Sequence, residues 1–306
     1  MEAVFGLVGW FLSSFRSAEY FIHLAILVGI YLILAQSFNL TIGLGRLFNL
    51  AHVAAYAIGA YVTALGSTEM GMNPMQCILA SALLSGLLAF LLGGIALRLA
   101  GDYFAIGTLA FSSIISALLI NWKSVTRGVL GIPGIPRPEF GSISLGDNSR
   151  FLVLVIGVVV VSMGVFYLLF KSPFARVLRA QSENRNAAMA LGRDVRLINT
   201  TAFFLSSLFA GVAGSLFAYY LNYIDPSSFA FSEMVFLLTI VVVGSPGSFW
   251  GCIAATVFLV LLPEPLRFIE IPSSVLGPMR QFLHSIVLLT VVWINRKRIF
   301  PAQREV

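Results

Sequence analysis

Residues 151–170 read Phe-Leu-Val-Leu-Val-Ile-Gly-Val-Val-Val-Val-Ser-Met-Gly-Val-Phe-Tyr-Leu-Leu-Phe, with no charged side chain anywhere in the run. A stretch of about 20 apolar residues matches the hydrocarbon thickness of a bilayer crossed by a helix. It is continuous, whereas a barrel strand would alternate and be half as long, so the run is helical and satisfies its own backbone. Comparable runs recur at 20–40, 47–65, 75–97, 103–121, 199–221, 234–243, 249–262 and 279–295. With 58% hydrophobic and only 10% charged residues, the chain cannot hide its apolar side chains behind a water-facing surface of its own. The expected fold is an all-α integral membrane protein, a polytopic bundle of about 8–10 transmembrane helices with interrupted helices among them. One transmembrane domain covers 1–306. Residues 1–15 lack the basic start of a cleaved signal peptide and are expected to form an interfacial or partial helix.

The formal charge of +6 would suggest nucleic acid in a soluble protein, but its placement argues otherwise. Lys171, Arg176, Arg179, Arg185, Arg193 and Arg196 fall in one interval, and Arg296, Lys297, Arg298 and Arg304 fall in the tail. By the positive-inside rule both segments are expected in the cytoplasm. Counting outward from them alternates consistently: Arg46 and Arg98 inside; Glu69, residues 121–150, Asp225 and Glu264 outside. No nucleic-acid motif accompanies the basic residues. Cys77 and Cys252 have no second cysteine nearby and read as buried small hydrophobes.

Two places break the helical pattern. Gly244-Ser245-Pro246-Gly247-Ser248 separates two short apolar runs, and Gly43-Leu44-Gly45-Arg46 interrupts the first half. Such breaks mark either irregular backbone at a transport site or tight cytoplasmic turns. The polar residues Asn39, Asn49, His52 and Asn222 lie within or beside apolar runs, where polar groups are costly. Asn49, His52 and Asn222 are pathway candidates, with a hydrogen-bonded structural histidine the competing reading of His52. Residues 121–150 carry Pro133, Pro136 and Pro138 with Gly128, Gly131, Gly134 and Gly141 and cannot be a membrane helix. They read as an outside loop, either a docking surface built on Gly131, Pro133, Gly134, Pro136 and Arg137 or a flexible connector.

The segment from Lys171 to Val195 is the most informative. Pro173 can start a helix, residues 187–191 favour one with small side chains, and Gly192 can stop it. A short helix offering small residues between arginines is what a membrane subunit needs to fit a groove on a nucleotide-hydrolysing partner; a solvated basic turn is the alternative.

The stretch from Ser172 to Gly192 resembles the ATPase-coupling loop of ABC importer permeases, and specifically of the LivM-like branched-chain amino acid permeases. Residues 202–218, 224–229 with Asp225, Pro226 and Ser227, and 247–251 followed by Leu262-Pro263-Glu264 are similar to the same family, as are 102–111 and 131–138. The resemblance covers the chain from about Gly43 onward. Arg127 and Ser245 stand where the family pattern has glycine, Arg46 replaces a small or apolar residue, and Phe48 to His52 leans toward the sister permease. The resemblance implies a bacterial inner-membrane permease that moves branched-chain amino acids by alternating access. It implies a homologous second permease in a heterodimer, two cytoplasmic ATPases with 171–198 as the ATPase-coupling loop, and a periplasmic binding protein over 121–150. The coupling residues it picks out are Arg179, Glu183, Arg185, Ala187, Ala188, Leu191 and Gly192. The chain has no Gly-x-x-x-x-Gly-Lys-Ser/Thr loop, so ATP and Mg are expected on the partner ATPases, with no cofactor on this chain and no catalysis by it. Urea or short amides are the rival substrates, and a stand-alone secondary transporter the rival class.

Overall fold

The computed structural model describes residues 18–96, 102–140, 143–268 and 273–294. The first apolar run forms α1 (Ala18–Phe38), which continues into a π-helical turn at Asn39–Leu44. Then come α2 (His52–Thr68), α3 (Pro74–Ala96), α4 (Asp102–Asn121) and α5 (Asn148–Lys171). Two short helices, α6 (Pro173–Glu183) and α7 (Arg185–Ala190), lead to α8 (Val195–Leu221), α9 (Phe231–Val243), α10 (Phe249–Leu261) and α11 (Ser273–Ile294). Among the described residues, eight segments are long and apolar enough to cross a membrane by length and composition. α2, with 17 residues, lies at the short end of what can cross. The chain is a polytopic all-α membrane protein. Residues 1–15, Arg98 and the tail from Arg296 lie outside the described residues.

Expected boundaries move in three places, the last helix among them, since α11 begins at Ser273 rather than near 279. α2 begins at His52, not near 47, because Arg46 turns the chain at φ +49° and the Asn49 carboxamide oxygen accepts from the Ala51 backbone N–H (3.1 Å), holding 45–51 out of helical form. The expected single helix after Lys171 is two. Asn184 adopts φ −148° and its side chain caps α7 by accepting from Ala187 N (2.9 Å), so the chain kinks between them.

The bundle is built on α8. Along one side run Ala210, Gly211, Ala213, Gly214 and Ser215, all buried, and α2 and α3 pack directly on this stripe. A Cβ at Gly214 would overlap the Tyr56 carbonyl, one at Gly211 the Ser81 carbonyl, and one at Gly59 the Gly211 backbone. Small residues let backbones approach where lipid supplies no hydrophobic drive for helix association. Serines complete the contact: Ser81 Oγ donates to Gly59 O (2.8 Å) and Ser85 Oγ to Ala55 O (2.9 Å). α5 lies outside against α1 and turns Val153, Val160, Val161 and Leu168 outward.

The two ends of the bundle differ in charge. At one end Tyr20 OH donates to Glu264 Oε2 (2.7 Å) and His23 pairs with Tyr220, joining α1 to the segment after α10 and to the end of α8. At the other, Arg196 Nη2 donates to Gly94 O (2.8 Å), and Tyr167 and Phe170 meet Phe249 edge-on. Arg46, Lys171, Arg176, Arg179, Arg185, Arg193 and Arg196 belong to this second, basic end. Glu19, Glu69, Glu139, Asp147, Asp225 and Glu264 belong to the first, where Lys123, Arg127, Arg137 and Arg150 offset part of their charge, as Glu183 and Asp194 do at the second.

Candidate functional site

At the basic end the two sequence interruptions are one structure. α9 ends at Val243 and α10 starts at Phe249, and helix ends leave backbone groups without intrahelical partners. Buried Asn39, in the π-helical turn, supplies them: its Oδ1 accepts from Gly247 N (2.8 Å), and its Nδ2 donates to Ser248 O (3.0 Å) and Gln36 Oε1 (3.2 Å). Gln36 Nε2 in turn donates to Phe249 O (2.7 Å), and Ser248 Oγ accepts from Gly251 N (3.1 Å) as the cap of α10. Gly43 lies so close to Gly247 that a Cβ would overlap the Gly247 nitrogen, and Gly247 itself has φ +81°. Irregular backbone is tolerated because protein side chains satisfy it. A π turn of this kind often marks a functional position in a helix.

α6 leans on that junction. Ser172 Oγ caps it by accepting from Ala175 N (3.3 Å), and Pro173 opens the first turn, as its sequence leads one to expect. The helix is amphipathic: Ala175 and Leu178 pack with Leu40, Leu44 and Ala202, while Arg176, Arg179 and Glu183 face outward. A Cβ at Gly45 would lie 3.3 Å from Leu178 Cδ1. α6 thus touches the π-helical turn on one side and solvent on the other.

The residues expected to couple to an ATPase separate by burial. Arg179, Glu183, Arg185, Ala187, Leu191 and Gly192 are exposed, and Gly192 ends α7 at φ +75°. Ala188 is buried, its methyl turned into the protein, so it offers no surface. The apolar surface there is Met189 (48% exposed) and Leu191 (81% exposed).

The structure does not bring Asn49, His52 and Asn222 together. His52 is fully buried, with Nε2 at 3.0 Å from Ser37 Oγ and 3.3 Å from Leu34 O, and Nδ1 at 3.4 Å from Ser206 Oγ. It ties α1, α2 and α8, which is the structural reading of this histidine. Asn49 serves the turn before α2. Asn222, at φ +56°, ends α8 at the other end of the bundle.

There Asn222 holds the 121–150 loop. Its Oδ1 accepts from Arg137 Nε (3.1 Å) and its Nδ2 donates to Ile135 O (2.7 Å), while Arg137 Nη2 donates to Asn148 Oδ1 (3.0 Å). The guanidinium lies over the Phe151 and Tyr220 rings, 5.0 and 5.5 Å from their centroids. Burial pulls the Arg137 pKa below its ordinary value, with Tyr220 acting in the opposite sense. Strand β1 (Ile132–Pro133) pairs with the two-residue strand at Tyr223–Ile224, and β2 (Glu139–Phe140) with β3 (Ile143–Ser144), both antiparallel. Gly131 sits at φ +68°, where a Cβ would overlap the Ile224 carbonyl. Gly131 and Arg137 therefore fix the loop, and Pro133, Gly134 and Pro136 are its exposed surface.

The positions where sequence reading looked for glycine have a geometric reason. Arg127 has φ +59° and Ser245 φ +62°, and Arg46 also has a positive φ. A left-handed backbone costs a side chain roughly 1–2 kcal/mol, and glycine gives back part of that as unfolded-state entropy. Ser245→Gly should stabilise the protein by about 0.5–1 kcal/mol, read as a higher thermal midpoint of the detergent-purified protein at a fixed scan rate. Sequence reading misses Gln36 and Gly59 because each lies in an apolar run, and Leu178 because it stands among basic residues; the partners of all three are distant in the chain.

The family model for the branched-chain amino acid transport system permease component matches residues 20–292. The chain is 35% identical over 296 residues to the high-affinity branched-chain amino acid transport system permease protein LivM of Escherichia coli, covering 89% of this chain and 68% of that one. A probable branched-chain amino acid permease LivM from Methanocaldococcus jannaschii is 24% identical over 72% of this chain and 73% of its own. The autoinducer 2 import system permease LsrC of Escherichia coli is 24% identical over 72% and 62%. No solved structure gives a significant match. A bundle of apolar helices with two interlocked breaks, matched over nearly its whole length, belongs to the permease-component family of branched-chain amino acid transport systems.

Proposed function

We propose that this chain imports branched-chain amino acids across a bacterial inner membrane as one permease of an ATP-driven heterodimer. Identity of 35% to a branched-chain amino acid permease, against 24% to an autoinducer 2 permease, supports branched-chain amino acids as the substrate. The family is a transport component rather than an enzyme. In this reading the basic end is cytoplasmic, residues 171–198 are the coupling loop toward the two ATPases that carry ATP and Mg for the heterodimer, and residues 121–150 receive a periplasmic binding protein through Pro133, Gly134 and Pro136. The whole chain is one transmembrane domain. The observation that carries the proposal is α6, with solvent on one side and the junction of both helix breaks on the other.

Uptake of labelled leucine, isoleucine and valine by cells carrying the assembled transporter tests the substrate, and transport of none of them would overturn it. The orientation is tested with single cysteines at Val129 and Leu191, exposed at opposite ends, against a background in which Cys77 and Cys252 are buried. A membrane-impermeant thiol reagent applied outside should modify the first and spare the second. Docking is tested by Met189→Asp with Leu191→Asp. Burying a leucine-sized side chain is worth about 1.5–3 kcal/mol, so ATPase recovery with the purified permease should fall by about tenfold or more. Full recovery would mean that α7 is not a contact.

A further inference from the structure

Toward the acidic end, α1, α9, α10 and α11 line an open cleft, a cavity of about 320 Å³ that neither the helix breaks nor the outer loop explains. That is the size at which small-molecule sites begin. Its walls are mixed. Leu27, Phe236, Leu259 and Val260 give an apolar surface, and Glu233, Glu264, Arg280 and His284 bring ionisable groups to it.

Most of these groups are already engaged. Glu264 accepts from Tyr20 OH, and His284 Nε2 lies 3.2 Å from Leu259 O with its ring against Phe236. The Tyr31 hydroxyl serves Glu233. Two atoms remain: Glu233 Oε1 and Arg280 Nε are buried and have no hydrogen-bond partner among the described residues. Two opposite charges face one cavity, yet the described ion pairs do not include them. Ionisable groups at membrane depth are expensive and mark function by default, and a buried charge without a partner is more costly than a paired one.

The geometry points to a binding site for a small aliphatic zwitterion, its ammonium on Glu233, its carboxylate on Arg280 and its side chain against Leu27, Phe236 and Val260. Arginine suits a carboxylate because its planar donors meet both oxygens. The inference rests on the branched-chain amino acid reading and deepens it by placing the ligand within the membrane domain. A zwitterionic lipid headgroup carries the same pair of charges, so the test separates the two.

In cells carrying the whole transporter, Glu233→Gln and Arg280→Gln, each near isosteric or shorter and checked for wild-type membrane levels, should lower leucine uptake by about tenfold or more, the scale of one charge-assisted hydrogen bond. Gln281→Cys, which lines the cavity and is exposed, should react with an impermeant thiol reagent from outside, and leucine should slow that reaction. Isoamylamine, lacking the carboxylate, and 4-methylpentanoate, lacking the ammonium, should not slow it. Wild-type uptake in both charge variants, or labelling indifferent to leucine in a transporter that moves leucine, overturns the site and leaves the importer reading standing. Protection that follows the phosphatidylethanolamine content of proteoliposomes and ignores leucine also overturns it. A wild-type transporter that moves no branched-chain amino acid overturns both.

Discussion

Valine at Gly214 should abolish the folded permease, whereas valine at Gly157 should leave it intact. The Gly214 Cα faces α2 so closely that a Cβ would overlap the Tyr56 carbonyl and lie 2.7 Å from the Ala60 nitrogen. Both are backbone atoms inside a helix, so no rotamer change makes room. Overpacking a tight core costs about 1–3 kcal/mol where side chains can shift, and a contact that must displace a helix axis lies at or above the top of that range. α8 also carries Gly211 against Ser81 and Ser85 of α3, so moving α2 away from α8 loosens both interfaces. Gly157 on α5 has open space around its Cα, and the same substitution there adds a β-branched side chain to an exposed face. The measurement is the fraction of monodisperse protein recovered in mild detergent, relative to membrane-inserted protein. Equal recovery for the two variants would mean that α8 does not hold the bundle together.

The contrast between these glycines shows what a sequence carries and what it withholds. The small face of α8 is legible, since Ala210, Gly211, Ala213, Gly214 and Ser215 cluster within one apolar run. Its partners are not, because Gly59 and Ser85 are single small residues in runs that are apolar all round, and a helix facing lipid and a helix facing protein have the same composition. The helices themselves are legible to within two turns for the same reason, namely that lipid imposes length and apolarity on every span. Where polar groups compete for backbone, legibility failed: Asn49 delays the start of α2 and Asn184 splits the basic helix in two. Polarity alone makes His52 and Asn222 pathway candidates, with a hydrogen-bonded structural role the competing reading of His52; the hydrogen bonds each makes to distant elements are encoded by no local pattern. Glu233 escaped notice because it stands one residue before the run expected at 234–243, although an acid on the first turn of an apolar helix is a signal.

Asn39→Leu should leave the chain in the membrane and stop transport. Leucine has the same branched heavy-atom skeleton as asparagine and is somewhat larger, so the change removes three hydrogen bonds without opening a void. Gly247 N–H and the Ser248 carbonyl then lose the partner that the broken α9–α10 connection depends on. Each buried group left without a partner costs about 1–3 kcal/mol, so the junction loses roughly 2–6 kcal/mol. Asn39→Asp separates the two halves of the interaction, because it keeps an acceptor for Gly247 N–H and loses the donor to Ser248 O and Gln36 Oε1. Its effect should be intermediate. Loss here reaches further than local stability, because Leu40 and Leu44 of the same π-helical turn pack on Ala175 and Leu178 of α6. In the proposed transporter a push on α6 from an ATPase meets the turn first, and the turn meets the α9–α10 connection through Asn39 and the Gly43–Gly247 contact, with Gln36 of α1 beside them. ATPases should therefore still co-purify with Asn39→Leu while leucine uptake falls to background, which is the pattern of a broken linkage rather than a lost interface. Normal uptake by the leucine variant, or ATPase loss in step with transport, would remove the π-helical turn from the coupling route.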